Sequence, residues 1–186
     1  MSVRLRCCHI GFMLLLCLPS SLLAGAAAVI PPELDRQIVK LADLLRDAVA
    51  EENREGRIVQ TIRNVPGGEL VLVVLSVGGF AGGNMHTQYL AVFSWDEDAQ
   101  AARYYTLVDV IAIGGRGWRS ISAISPQGSY NMKSGAVCLH FEAMINQQED
   151  APNFPSSKGK VQFLLQAARL QEIQEKNSPC TSKMQR

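Results

Sequence analysis

Few side chains in this sequence could carry a reaction. Beyond the first 28 residues the histidines are His86 and His140, each able in principle to act as a general base or a metal ligand. Cys138, His140 and Glu142 alternate along one apolar segment, so a strand would point all three to the same side, a spacing that suits metal ligation. No second Cys/His cluster supports them, and a histidine beside apolar neighbours is ordinarily half-buried in a core. No metal site is therefore predicted. Nucleophilic catalysis needs a nucleophile, a base and an orienting group. Serines are plentiful, Ser76, Ser94, Ser120 and Ser122 among them, but Gly115-Arg116-Gly117-Trp118 lacks the serine of a G-x-S-x-G elbow. Asp109 and Glu142 are the acidic residues well inside predicted strands, a thin basis for paired-carboxylate chemistry. No catalytic residue and no cofactor are assigned. A small cofactor-free hydrolase using His86 or His140 stands as the alternative to a non-catalytic reading.

Binding is better supported. Gly78-Gly79-Phe80-Ala81-Gly82-Gly83-Asn84 holds four glycines, which allow positive φ and a close backbone approach to a ligand. A phosphate-cradling loop needs Lys-Ser/Thr after the glycines and a helix opening there; this one runs into a strand pattern, which excludes nucleotide binding. The segment reads as a hairpin loop rimming a recognition surface. Gly78, Gly79, Phe80, Gly82, Gly83, Asn84, His86 and Trp118 are the candidate binding residues. Trp118 follows a tight glycine turn and precedes Arg119, a pairing of types that dominates binding hot spots. Tyr89 and Phe93 are expected instead to pack beneath the N-terminal helix. A secreted inhibitor would show Gly78 to Asn84 as an exposed rigid loop with an apolar tip at Phe80.

The first residues form an address. Arg4 and Arg6 precede an apolar run from Ile10 to Leu18, Pro19-Ser20-Ser21 breaks it, and A-x-A sites follow at Ala24-Gly25-Ala26 and Ala26-Ala27-Ala28. This is the layout of a cleaved secretory signal peptide, assigned to residues 1–28. An uncleaved anchor is the other reading, since the apolar stretch reaches Ile30. Leu16 before Cys17 disfavours lipid attachment. Cleavage removes Arg4 and Arg6 with no acidic residue, so the net charge moves from +1 to −1. Cys138 and Cys180 remain, and two cysteines in a periplasmic or secreted protein predict one disulfide. The alternative is two free thiols, because Cys180 lies in a polar tail. Membrane contact is expected through the signal segment alone, before cleavage.

The balance of the chain suits one soluble core. Its 186 residues are 47% hydrophobic and 19% charged, which excludes a disordered chain and a multi-span membrane protein. Near-neutral charge excludes a nucleic-acid partner, leaving an unknown protein or small molecule. Residues 29–175 read as a single globular domain and 176–186 as a flexible C-terminal tail.

Those candidates need elements to hold them. Leu34, Ile38, Leu41, Leu45 and Val49, widened by Leu44 and Ala48, form one stripe, predicting an amphipathic helix from about Glu33 to Arg54. Glu51 to Glu55 then read as its solvated end. From Gly56 the period changes. Strands are predicted at Arg57 to Val65, Glu69 to Val77, Thr87 to Trp95, Arg103 to Ile113, Gly117 to Ser125 and Ala136 to Ile145. Turns fall at Pro66-Gly67-Gly68 and Pro126-Gln127-Gly128, and Asp96 to Gln100 forms a hairpin tip. The unbroken Leu/Val run at Glu69 to Val77 implies a strand covered on both faces. Asn146 to Lys160 reads as a plain loop. The segment from Val161 fits a strand with a hairpin near Gln166 to Arg169, or a helix lined by Phe163, Leu164, Ala167 and Leu170; the β-branched and aromatic start favours the strand. The fold class is α+β, with an N-terminal amphipathic helix packed on a mainly antiparallel, bent β-sheet of about six to eight strands.

Overall fold

A computed structural model describes residues 30–65, 68–124, 135–174 and Cys180, together with the backbone of 129–131. The predicted signal segment 1–28, the turn at Pro126-Gln127-Gly128, most of the Pro66-Gly67-Gly68 turn and the tail 176–186 apart from Cys180 lie outside these residues. The described residues form one α-helix, α1 (Pro32–Leu45), a 3-10 turn at Arg54–Gly56, and ten strands: β1 (Glu51–Glu52), β2 (Ile58–Val65), β3 (Gly68–Phe80), β4 (Met85–Glu97), β5 (Arg103–Gly115), β6 (Arg119–Ile124), β7 (Ser129–Asn131), β8 (Ala136–Ile145), β9 (Ser157–Gln166) and β10 (Arg169–Ile173). The fold is α+β, as predicted.

All strand pairs are antiparallel and belong to one sheet ordered β1-β3-β4-β5-β6-β8-β9-β10, with β2 also on β3 and β7 also on β8. The sheet curls on itself. β5 and β6 share a single register pair, Gly115 with Arg119, and β10 comes back toward β5. No ladder joins β5 to β10 among the described residues; instead the Leu170 N–H donates to Asp109 Oδ2 at 2.7 Å.

Curling creates two cores. Inside lie Leu72 and Val74 of β3, Leu90 and Val92 of β4, Ile113, Ile121, and Val137, Leu139, Phe141 and Ala143 of β8, with Phe163 meeting Phe141 edge-on at 5.6 Å. On the opposite face of β3–β5, α1 buries Leu34, Ile38 and Leu41 against Val71, Val73, Leu75, Ala91 and Phe93. Tyr89 and Trp95 pack partly into that second core. The two-sided burial of β3 accounts for its continuous apolar run, because neither face meets water. Outside β8 and β9, Cys138 is bonded to Cys180 and packs with Ala136 and Leu164.

The helix is shorter than its stripe predicts. It stops at Leu45, where Arg46 turns to extended backbone. The Asp47 carboxylate then accepts the N–H groups of Val49 and Ala50 at 2.9 and 2.8 Å, which bends the chain and buries Ala50. Leu44, at 84% exposure, and Val49 therefore leave the stripe. Glu51 and Glu52 are not a solvated helix end but strand β1, paired with Gly78 and Val77. Glu52 is nearly buried and receives Arg57 in bidentate fashion, Nε to Oε1 at 2.5 Å and Nη2 to Oε2 at 2.6 Å, while Arg57 Nη1 also binds Asp35 of α1. Glu52, and after it Asp35, pushes the Arg57 guanidinium further above its ordinary pKa. A charged run thus became the clasp between helix and sheet.

The last segment is strand, and β9 starts four residues earlier than Val161, inside the predicted loop. The hairpin to β10 turns at Ala167 and Ala168, at φ +49° and +58°.

Candidate functional site

Three connections meet at one end of the sheet. β3 ends beside the start of β4, with Gly78 opposite His86, and β5 ends on the other side, with Gly115 opposite Thr87. The two Gly pairs that terminate these strands thus flank His86 to Gln88. At Gly115 the residue type is forced: φ is +156°, and a Cβ would sit 2.7 Å from the His86 carbonyl oxygen. That close approach lets the Arg116 N–H donate to the same oxygen at 3.2 Å.

The third connection is the loop after β8. Its Asn146 N–H donates to Trp118 O at 2.9 Å, and its Pro152 O accepts the Gly117 N–H at 2.7 Å. Asn153 Nδ2 reaches Asn84 O at 3.4 Å. Within the loop, Asp150 Oδ2 accepts Gln147 N–H, Ser156 N–H and Ser156 Oγ at 2.8–3.0 Å. These bonds, the Gln147 amide foremost, hold its pKa below the usual carboxylate range. The glycine-rich hairpin is anchored from the other side. The Ala81 N–H donates to Asp47 Oδ2 at 2.8 Å and lowers the Asp47 pKa, helped by Val49 and Ala50.

Between the connections lies a hollow of about 300 Å³, lined by His86, Gly115, Arg119, Ser120 and Met144 with the segment Pro152-Asn153-Phe154-Pro155. Phe154 is 76% exposed and Trp118 43%, and Met85 beside His86 is exposed as well. Trp118 does not stand free: the Arg119 guanidinium carbon lies 4.1 Å from its ring centroid. Arg119 itself is only 5% exposed and fully engaged, Nε on Ile113 O at 2.6 Å and both Nη atoms on Glu172. The hollow carries no free cation from it. Gln88, also buried, exchanges hydrogen bonds with Ile121 N–H and O at 2.7 and 3.3 Å, tying β4 to β6 beneath the site.

Of the predicted binding residues, His86 lines the hollow and Trp118 stacks on one of its walls. Gly78 and Gly79 are strand residues of β3, and Gly82, Gly83 and Asn84 form the hairpin tip beside it, with Asn84 bonded to Asn153. Phe80 differs from the inhibitor expectation: it is half-buried against the helix-side core and is not the exposed tip. Phe154 was not singled out from sequence, and Ser120 was named only among the plentiful serines. The single signal for Phe154 is an aromatic set between prolines in an otherwise polar loop.

The alternative chemistry gains little geometry. Among the described residues no hydrogen bond joins either imidazole to a serine or a carboxylate, although His86 and Ser120 line the same hollow. Cys138 is in a disulfide, so the Cys138/His140/Glu142 alternation offers no free thiolate. No helix among the described residues is long and apolar enough to cross a membrane. Comparison of the chain with protein-family models, with curated proteins and with solved structures finds no match.

Proposed function

We propose that this protein is an exported, non-catalytic binding domain whose recognition site is the hollow bounded by His86, Trp118 and Phe154. One observation carries the reading: large apolar side chains are held exposed around a hollow by main-chain hydrogen bonds between three separate connections. Exposed aromatics on a rigid frame supply contact area at little entropic cost, which is the usual makeup of a recognition patch. Asn146 Oδ1 and Asn153 Oδ1 in the third connection are buried without a protein partner among the described residues, which leaves acceptors in this loop for a bound molecule or water to complete. Export is supported by the leader pattern of residues 1–28 and by the disulfide, which persists in oxidising compartments.

A screen of uncharged fragments by two-dimensional NMR tests the site. Binders should move the resonances of His86, Gly117 and the Trp118 indole, and Trp118→Ala with Phe154→Ala should abolish the shifts. Binders that perturb other regions and survive both substitutions would overturn it. The hydrolase alternative rests on His86 and Ser120 sharing the hollow; ester turnover that disappears in His86→Ala and in Ser120→Ala would replace the binding reading. Mass spectrometry of envelope material should find a mature start near Ala27 or Val29, and an intact Met1 would refute cleavage.

A further inference from the structure

A second hollow, of about 190 Å³, lies at the other end of β3 and β4 beneath the first turn of α1. Leu34, Thr61, Glu69, Trp95, Arg103 and Tyr105 contribute to its walls. We infer that it binds a small organic acid, a carboxylate carried on a short apolar group, with Arg103 and Tyr105 as the carboxylate ligands. The inference is independent of the site at His86, which is formed by the opposite strand ends.

Two groups in the hollow keep donors that no described protein group engages. The guanidinium carbon of Arg103, an exposed residue, lies 4.0 Å from the centroid of the Trp95 ring and has no carboxylate within ion-pair distance among the described residues. The acidic groups around it are spoken for: Glu69 pairs with Arg63 at 3.0 Å, Glu33 with Arg36, and Asp35 with Arg57. Glu97 stands opposite Arg103 in the β4–β5 register without forming an ion pair. Tyr105 is only 4% exposed, and its hydroxyl has no hydrogen-bond partner among the described residues, although it is not among the polar atoms sealed from solvent. A hydroxyl that solvent reaches and no protein group engages is open to a ligand.

The surroundings favour an anion with an apolar body. α1 opens here behind Pro31 with no side-chain cap, and the two carboxylates of its first turn, Glu33 and Asp35, are paired with Arg36 and Arg57. Val59, Val71, Leu34 and Pro31 supply apolar walls. A planar guanidinium resting against an indole offers two parallel N–H donors to one carboxylate, a geometry that a lysine would not reproduce. The volume falls below the roughly 300–1,000 Å³ of sites for drug-sized ligands, which restricts the occupant to a short chain or a chain terminus.

The test is a titration of the oxidised, full-length mature protein with hexanoate, with hexanamide, and with a short peptide ending in leucine as free acid or as amide, followed by the two tryptophan indole resonances. Hexanoate should shift the Trp95 indole saturably and leave that of Trp118 in place. Affinity should fall about tenfold or more in Arg103→Gln, the loss expected for a charged hydrogen-bond pair, and fall also in Tyr105→Phe. Tighter binding of the free-acid peptide assigns the site to chain termini, and tighter binding of hexanoate assigns it to free acids; either order supports it. An equal response to the amides, an unchanged affinity in Arg103→Gln, or shifts confined to Trp118 would overturn it. Circular dichroism of both variants keeps loss of binding distinct from loss of fold.

Discussion

Arg119 and Glu172 meet across the seam of the curled sheet, Nη1 on Oε1 at 2.6 Å and Nη2 on Oε2 at 2.7 Å. Arg119 starts β6 and Glu172 lies in β10, strands that are not neighbours in the hydrogen-bonded order. The pair therefore does what a ladder does elsewhere, and Asp109 with the Leu170 N–H is its second stitch. The arginine is buried and the glutamate partly exposed, so the two ends of the bond are not equivalent. Removing Glu172 leaves a buried cation short of its partner.

Glu172→Ala should consequently cost about 2–3 kcal/mol, the range between a lost charged hydrogen bond and a broken buried pair. Urea unfolding should show a lower midpoint. The double variant Arg119→Met/Glu172→Leu should recover much of the loss, since no charge is then left unpaired. A single variant as stable as the parent would show that the seam is held by packing alone.

The β9–β10 hairpin asks two alanines, Ala167 and Ala168, to adopt left-handed backbone. Each costs an L-residue about 1–2 kcal/mol relative to its preferred region. Ala167→Asn with Ala168→Gly supplies the residues this turn prefers and should stabilise the protein by about 1 kcal/mol or more, raising Tm by roughly 2–4 °C per kcal/mol for a chain of this length. Differential scanning calorimetry would read it directly.

Acid should loosen the glycine-rich hairpin and the loop around Asp150. Asp47 and Asp150 have folded-state pKa values below their ordinary value of 3.8, so the unfolded chain takes up protons first. Their contribution is complete above that value and is lost as pH falls through the folded-state values. The Ala81 amide resonance should titrate with a midpoint below 3.8, and Asp47→Asn should abolish that titration.

The disulfide closes a separation of 42 residues between Cys138 and Cys180. Chain entropy sets its contribution at up to about 4 kcal/mol, so reduction or Cys180→Ser should lower the thermal midpoint markedly. Thiol titration of the native protein should find Cys138 unreactive until reductant is added.

Periodicity alone was enough for most of the elements. Alternating side chains placed Leu90 and Val92 on one face of β4 and Ala91 and Phe93 on the other, and the structure buries the two sets in separate cores. The apolar run of β3 announced its two-sided cover for the same reason: local pattern records what each face must meet. What the pattern could not record is pairing between distant residues. Glu52 looked like solvated helix because its partner Arg57 becomes adjacent only through the tight turn at Arg54–Gly56. Phe154 looked like loop because the hollow it lines is assembled from three connections that only the curl of the sheet brings together. Sequence by itself determined the start of the helix, most of the strands and their buried faces, since those follow from side-chain spacing along one segment. Tertiary structure decided the seam at Arg119 and Glu172, the clasp at Arg57 and both hollows, because each is a distance between residues that no spacing along the chain encodes.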